Sequence, residues 1–230
     1  EDAKRLLIDE NYFGTMLVYM GLADGLVSGA CHSTGETVLP ALQIIKTKPG
    51  ISRTFGYFLM VRNEEKYIFA DCAINPNPTA EQLAEFAIES AKAATMFGIE
   101  PKVAMLSFST NGSAETEETA KVQKATQLAQ AADSGFVIDG ETQLDAAFVP
   151  SVGTKKYPGS PVAGRANTFV FPDLNSGNIG YKIAQRLGNF EAMGPILAGL
   201  NQPVNDLSRG CDSEDVYNTA IITAAQTLVK

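Results

Sequence analysis

The stretch NDLSRGCDSED, residues 205–215, sets a hydroxyl (Ser208) and a guanidinium (Arg209) ahead of a glycine turn at Gly210. Three carboxylates, Asp212, Glu214 and Asp215, follow within six positions of the arginine. An arginine fork suits a phosphate or carboxylate, and a carboxylate one helical turn away can accept a proton. The chemistry in view is anion binding coupled to proton removal. Helix capping makes a competing claim on the same residues. Val216, Ala220, Ile221 and Ala224 mark a helix that Asp212 or Ser213 can cap, with Glu214 and Asp215 complementing its dipole. Capping leaves Ser208 and Arg209 unaccounted for, since both precede the helix. Cys211 is a further nucleophile candidate, because a neighbouring cation and a helix N-terminus both stabilise a thiolate.

Two other regions carry polar groups at element ends. Ser107–Gly112 lies between a strand pattern and a helix pattern, where Ser109 and Thr110 suit either phosphate binding or a capped turn. Residues 158–182 contain two small-residue loops around a strand, with Asn178, Tyr181 and Lys182 on the helix that follows. Neither region matches GxxxxGK[ST] or GxGxxG. Cys31 and His32 are adjacent, and on an extended segment their side chains point to opposite faces, so no dyad is expected. His32 is the only histidine, which excludes a multi-histidine metal site within one chain. Cys31, Cys72 and Cys211 form neither a CxxC pair nor a disulfide framework, as in a reducing cytoplasm.

These groups need elements to position them. The 230 residues are 45% hydrophobic and 19% charged, enough apolar mass for one large domain or two modest ones. A net charge of −8 argues against nucleic acid as a partner. No apolar run reaches about 18 residues, so no membrane span is expected. The chain begins at Glu1 without methionine, as a piece of a longer chain would.

Phe13, Met16, Leu17 and Met20 have helical spacing, and Leu26–Ala30 reads as a strand. Pro40, Pro49 and Gly50 mark a connection. Tyr57–Val61 and Lys66–Ala70 form a predicted hairpin. Thr79 caps a predicted helix through Leu83, Phe86, Ala87, Ala91 and Ala94 that stops at Gly98. Val103–Phe108 is a strand, about 115–133 a helix, Thr168–Phe171 a strand, and Ile179, Ile183 and Leu187 lie on a helix. The alternation predicts α/β layers around a mainly parallel sheet, with crossings between two lobes near 47–50 and 188–203.

Several stretches together resemble the phosphate acetyltransferase (phosphotransacetylase) family: DGLVSGACHSTGETVLPALQIIKTKPG, FADCAINPNPTAEQLAEFA, EPKVAMLSFST, PGSPVAGRANTFVFPDLNSGNIGYKIAQRLG and GPILAGLNQPVNDLSRG. The resemblance runs from about residue 3 to the C-terminus. It implies an α/β fold of two α/β/α lobes with a cleft, similar to isocitrate and isopropylmalate dehydrogenases. One lobe would comprise residues 1–48 plus 195–230, cut short at its N-terminus, and the other residues 49–194. It implies reversible acetyl transfer between acetyl phosphate and coenzyme A in a ternary complex, with no metal or cofactor besides coenzyme A as substrate. A cytoplasmic homodimer is implied, with no membrane partner. By position, Asp215 would be the base toward the coenzyme A thiol. Arg209 would hold the phosphoryl group, and Ser208 would hydrogen-bond there. Ser33, Thr34, Ser109, Thr110, Asn178, Tyr181 and Lys182 would line the substrates.

One position departs from the family pattern. Where the family has an anion-binding arginine before PALQIIKT, this chain has Leu39. Loss of one charge-assisted contact costs about 1.5–3 kcal/mol, roughly 10- to 150-fold. Two alternatives stand beside the transferase: a member that binds phosphate or coenzyme A without turnover, and an acyl-enzyme route through Cys211.

Overall fold

The structure is a computed structural model that describes residues 2–228. It divides into two compact units, residues 1–56 with 193–230 and residues 57–192. The chain passes from one to the other inside two strands.

The first unit holds helices α1 (Asp2–Leu6) and α2 (Glu10–Tyr19), strand β1 (Leu26–Ser28) and helix α3 (Thr34–Ile44). The second begins in β2 (Phe55–Arg62) and continues through β3 (Glu65–Ala70), α4 (Ala80–Met96), β4 (Lys102–Leu106) and α5 (Glu117–Ala131). It then runs through β5 (Val137–Thr142), α6 (Leu144–Phe148), α7 (Pro150–Lys156), β6 (Thr168–Val170) and α8 (Leu174–Leu187), ending in β7 (Glu191–Ala198). The chain returns to the first unit with β8 (Val204–Asp206) and α9 (Ser213–Gln226).

The larger sheet has the order β5-β4-β6-β3-β2-β7. It is mixed: β3–β6, β4–β6 and β4–β5 are parallel, while β2 and β3 form the predicted antiparallel hairpin. Helix α4 begins as its sequence dictates. Thr79 Oγ1 accepts from Gln82 N at 3.3 Å, and Gln82 Oε1 accepts from Thr79 N at 3.0 Å, a reciprocal cap. Its buried face carries Leu83, Phe86, Ala87, Ala91 and Ala94. Burial of a large apolar side chain stabilises by about 1.5–3 kcal/mol, so Leu83 and Phe86 anchor the helix while the alanines keep it thin.

One feature departs from expectation, and two others gain detail. Pro40 lies inside α3, not in a connection; it is buried, and it removes the helical donor to the Glu36 carbonyl. Residues 188–203, read as a Pro/Gly-rich connection, contain strand β7, inside which the chain passes between the units, and its Pro195 is tolerated on an edge strand. Ile179, Ile183 and Leu187 lie on α8 as expected, and each is more than half exposed. The residue that α8 buries is Gly177. A Cβ there would lie 2.1 Å from the Asp71 carbonyl oxygen, so only glycine lets the first turn of α8 approach the end of β3.

In the first unit β1 and β8 pair in parallel, with Leu26 opposite Val204, Val27 opposite Asn205 and Ser28 opposite Asp206. Asn205, fully buried, ties three segments together. Its Nδ2 donates to Thr223 Oγ1 and to Gln226 Oε1, each at 2.7 Å, and its Oδ1 accepts from Leu197 N at 2.8 Å. Asp206 beside it is buried too. Its Oδ2 accepts the Thr34 hydroxyl at 2.7 Å, and its Oδ1 has no hydrogen-bond partner among the described residues. Burial pushes the Asp206 carboxyl above the usual carboxylate range, against the opposing Thr34 bond.

Two outcomes follow from this packing. Gly177→Ala overpacks α8 against backbone and is expected to cost about 1–3 kcal/mol. Gly35→Ala, whose new Cβ meets nothing closer than 3.9 Å, should leave the thermal midpoint unchanged or raise it. Thermal unfolding of both checks this, and an unchanged midpoint for Gly177→Ala contradicts it. For Asp206 the folded state favours the protonated form. Its cost is therefore absent below the ordinary carboxylate pKa and grows as pH rises through that value. Asp206→Asn should gain stability relative to the parent as pH rises from about 4 to 7. A difference in unfolding free energy that stays flat over that range contradicts the assignment.

Candidate active site

In the first unit the Thr34–Asp206 bond brings the first turn of α3 against the end of β8, and β8 leads directly to Ser208 and Arg209. The two helices starting here differ at their N-termini. Asp212 is the N-cap of α9, and its Oδ1 accepts from Glu214 N at 2.9 Å and Asp215 N at 3.0 Å. Asp215 returns the bond, with Oδ2 accepting from Asp212 N at 3.1 Å. The cap thus satisfies two of the first amides of α9 and orients the Asp215 carboxylate. That carboxylate is exposed and keeps acceptor capacity, since each of its oxygens has two lone pairs.

Helix α3 is capped by Ser33, whose Oγ accepts from Glu36 N at 3.3 Å and donates to Glu36 Oε2 at 2.8 Å. Glu36 Oε2 also accepts from Ser33 N at 2.7 Å. The backbone and side-chain bonds from Ser33 hold the Glu36 carboxyl below the usual range. This cap commits the Ser33 hydroxyl, and the Thr34 hydroxyl is committed to Asp206. The N–H groups of Thr34 and Gly35 donate to no acceptor among the described residues. An open helix N-terminus with free amides is a place for an anion.

Arg209 is exposed and forms no ion pair among the described residues. Ser208 Oγ accepts from Gly210 N at 3.1 Å, which leaves its hydroxyl hydrogen free to donate outward. Leu39 is 49% exposed on α3. It lies about 7.5 Å along the axis from Thr34, and helical side chains lean toward the N-terminus. An arginine at 39 would extend toward the free amides.

The second unit holds the other predicted residues in two separate groups. Ser109 and Thr110 are buried. Ser109 Oγ donates to Glu141 Oε1 at 2.8 Å, and Thr110 Oγ1 accepts from Gln143 N at 2.9 Å. Gly112 N also donates to Glu141 Oε1, at 2.8 Å. These hydroxyls hold the 107–113 loop, and the N-cap of α5 is Thr116 further on. On α8, Asn178 Nδ2 donates to the Cys72 carbonyl at 3.1 Å and its Oδ1 accepts from Lys182 Nζ at 2.8 Å. Tyr181 stacks on Phe58 with ring centroids 4.0 Å apart, and burial pushes its phenol up. No hydrogen bond links the two groups among the described residues. Asp139 and Glu141, absent from the sequence reading, line a polar cavity of about 360 Å³ with Tyr157, Gln123, Gln127 and Gln130. The stretch around them carried no assigned pattern, so two acids there gave no signal for it.

Cysteine geometry corrects one expectation. Cys31 and His32 lie in a turn after β1, not on an extended segment, and Cys31 Sγ is 3.4 Å from His32 Nδ1. Cys211 Sγ has no hydrogen bond to a base among the described residues, so the acyl-enzyme route lacks its activating partner there. Among the described residues no group of three or more His, Cys, Asp or Glu side chains is arranged to hold a metal ion, and no helix is long and apolar enough to cross a membrane.

The sequence profile of the phosphate acetyl/butaryl transferase family matches residues 1–224. A phosphate acetyltransferase of Bacillus subtilis (strain 168) is 68% identical over 99% of this chain and 71% of its own length. The crystal structure of a phosphotransacetylase from Streptococcus pyogenes superposes with a TM-score of 0.97 at 64% identity, over all of this chain and 70% of that one. A Salmonella typhimurium protein provisionally named as a 4-hydroxythreonine-4-phosphate dehydrogenase has a TM-score of 0.57 at 16% identity, covering 95% of this chain and 68% of its own, and shares the fold alone. The chain belongs to the phosphate acetyl/butaryl transferase family.

Proposed function

We propose that this chain is a phosphate acetyltransferase whose first unit holds the phosphate of the acyl donor between Arg209 and the open N-terminus of α3. Reversible transfer of an acetyl group between acetyl phosphate and coenzyme A is the activity carried by the names of its relatives. The observation that carries the siting is a guanidinium without an ion pair among the described residues, on the same short segment as a serine whose hydroxyl hydrogen is free to donate. That segment is tied by Asp206 to a helix whose first amides are free. Arg209 offsets charge growing on the leaving phosphate, and Ser208 donates a hydrogen bond beside it.

Asp215 receives the thiol proton. A free aspartate titrates near 3.9 and a free thiol near 8.5, so complete transfer before bond formation is uphill by about 6 kcal/mol. Proton removal therefore accompanies carbon–sulfur bond formation, and no free thiolate accumulates. The Asp212 cap aims the Asp215 carboxylate. In the second unit, Lys182, oriented by Asn178, is proposed to contact an anionic part of coenzyme A, with Tyr181 beside it. Ser109 and Thr110 shape the loop they stabilise. The homodimer and cytoplasmic setting implied by the resemblance belong to the same proposal.

Steady-state kinetics of acetyl phosphate consumption test these roles. Asp215→Asn is expected to lower kcat by roughly 10²- to 10⁴-fold with little change in KM, as for loss of a general base. Retention of kcat within a factor of about two excludes Asp215 as the base. Leu39→Arg adds a second charged contact and should raise kcat/KM for acetyl phosphate by roughly 10- to 150-fold. No gain would mean that position 39 does not face the phosphate.

A further inference from the structure

Three side chains near the start of α3 line up as a nucleophile, a base and an orienting acid, apart from the groups assigned above. Cys31 Sγ is 3.4 Å from His32 Nδ1, and His32 Nε2 is 3.3 Å from Glu10 Oε1 at the start of α2. A carboxylate only accepts, so Glu10 selects the tautomer with hydrogen on Nε2 and leaves Nδ1 bare toward the thiol. The S–H then points at a base, which is the arrangement that activates a cysteine. The other charged groups that act on His32 or its neighbours are Glu36 on α3, Asp206 on β8 and Arg209.

The three cysteines are distinguishable. Cys72 is buried, and burial pushes its thiol well up; Cys211 is half-buried with no hydrogen-bonded base among the described residues; Cys31 is exposed. All three are unpaired, so an oxidised Cys31 would take its second sulfur from outside the chain.

We propose that Cys31 is a thiol–disulfide exchange site for low-molecular-weight disulfides, with His32 as its base and Glu10 holding the histidine tautomer. Cys31 Sγ attacks one sulfur of the disulfide as its proton passes to His32 Nδ1. A new S–S bond forms on Cys31, the reagent's S–S bond breaks, and the released thiolate takes the proton from His32. One protein sulfur is oxidised, and the leaving sulfur is reduced. The site stands without the acetyl-transfer reading. Given that reading, an adduct two residues before Ser33 would crowd the anion site and slow turnover until a thiol removes it.

The test is stopped-flow reaction of the full chain with a neutral dipyridyl disulfide, followed by peptide mass mapping. One fast-reacting thiol should map to Cys31 and vanish in Cys31→Ser while persisting in Cys211→Ser. His32→Gln, which keeps the thiol, should slow the fast phase about tenfold at neutral pH, with Glu10→Gln in between. The gap should close above about pH 9, where an unassisted thiol ionises on its own. A fast phase that maps to Cys211, or a His32→Gln rate equal to the parent at neutral pH, overturns the proposal. Circular dichroism of each variant separates these results from misfolding.

Discussion

The hydrogen bond from the Thr34 hydroxyl to the buried Asp206 carboxylate is the constraint on which the arrangement in the first unit depends. It joins the first turn of α3 to the last residue of β8, positions far apart in sequence. Everything after Asp206 on that segment is then placed relative to a helix N-terminus. Parallel pairing of Ser28 with Asp206 sets the register, and Gly29 makes room for it. Gly29 has φ +114°, and a Cβ there would lie 2.2 Å from Asp206 Oδ1. A side chain at this position would both strain the backbone and displace the carboxylate.

Electrostatics then separates two helix ends that look alike in sequence. Helix α9 starts with acids and fills its own first amides through Asp212, so it has no need of an external anion. Helix α3 spends Ser33 and Glu36 on each other and leaves the Thr34 and Gly35 amides open. A doubly charged phosphate beside α9 would meet Asp212, Glu214 and Asp215. At α3 it meets the open Thr34 and Gly35 amides and, from the neighbouring segment, Arg209, with one carboxylate, Glu36, on the same first turn in place of three acids. On the proposed reading, anion binding falls to the start of α3 and proton acceptance to Asp215 at the start of α9.

Legibility in the sequence followed the strength of local rules. Helix α4 could be read because Thr79 and Gln82 form a capping box and its apolar residues keep one face. The β2–β3 hairpin could be read because two β-rich runs flank a polar turn. Helix α3 was lost because Pro40 signals a break, yet here it is accommodated in a buried helical position. Strand β7 was lost because Gly194, Pro195 and Gly199 signal a loop, and sheet-edge placement overrode that signal. Within the proposed site, Ser208, Arg209 and the acids after them stood out by type and spacing, and the role of Asp215 came from the family resemblance. The Cys31–His32 pair was not, because the turn at 30–32 removes the strand alternation that would have separated them. Asp206 was invisible for a different reason: its importance lies in a long-range partner, which no local pattern encodes.

The most direct measurement is a crystal structure of the chain with inorganic phosphate bound. The account predicts phosphate oxygens within hydrogen-bond distance of the Arg209 guanidinium and of the Thr34 and Gly35 amides, with Asp215 nearby and not in contact. Phosphate bound elsewhere, with Arg209 and the α3 amides untouched, would contradict it.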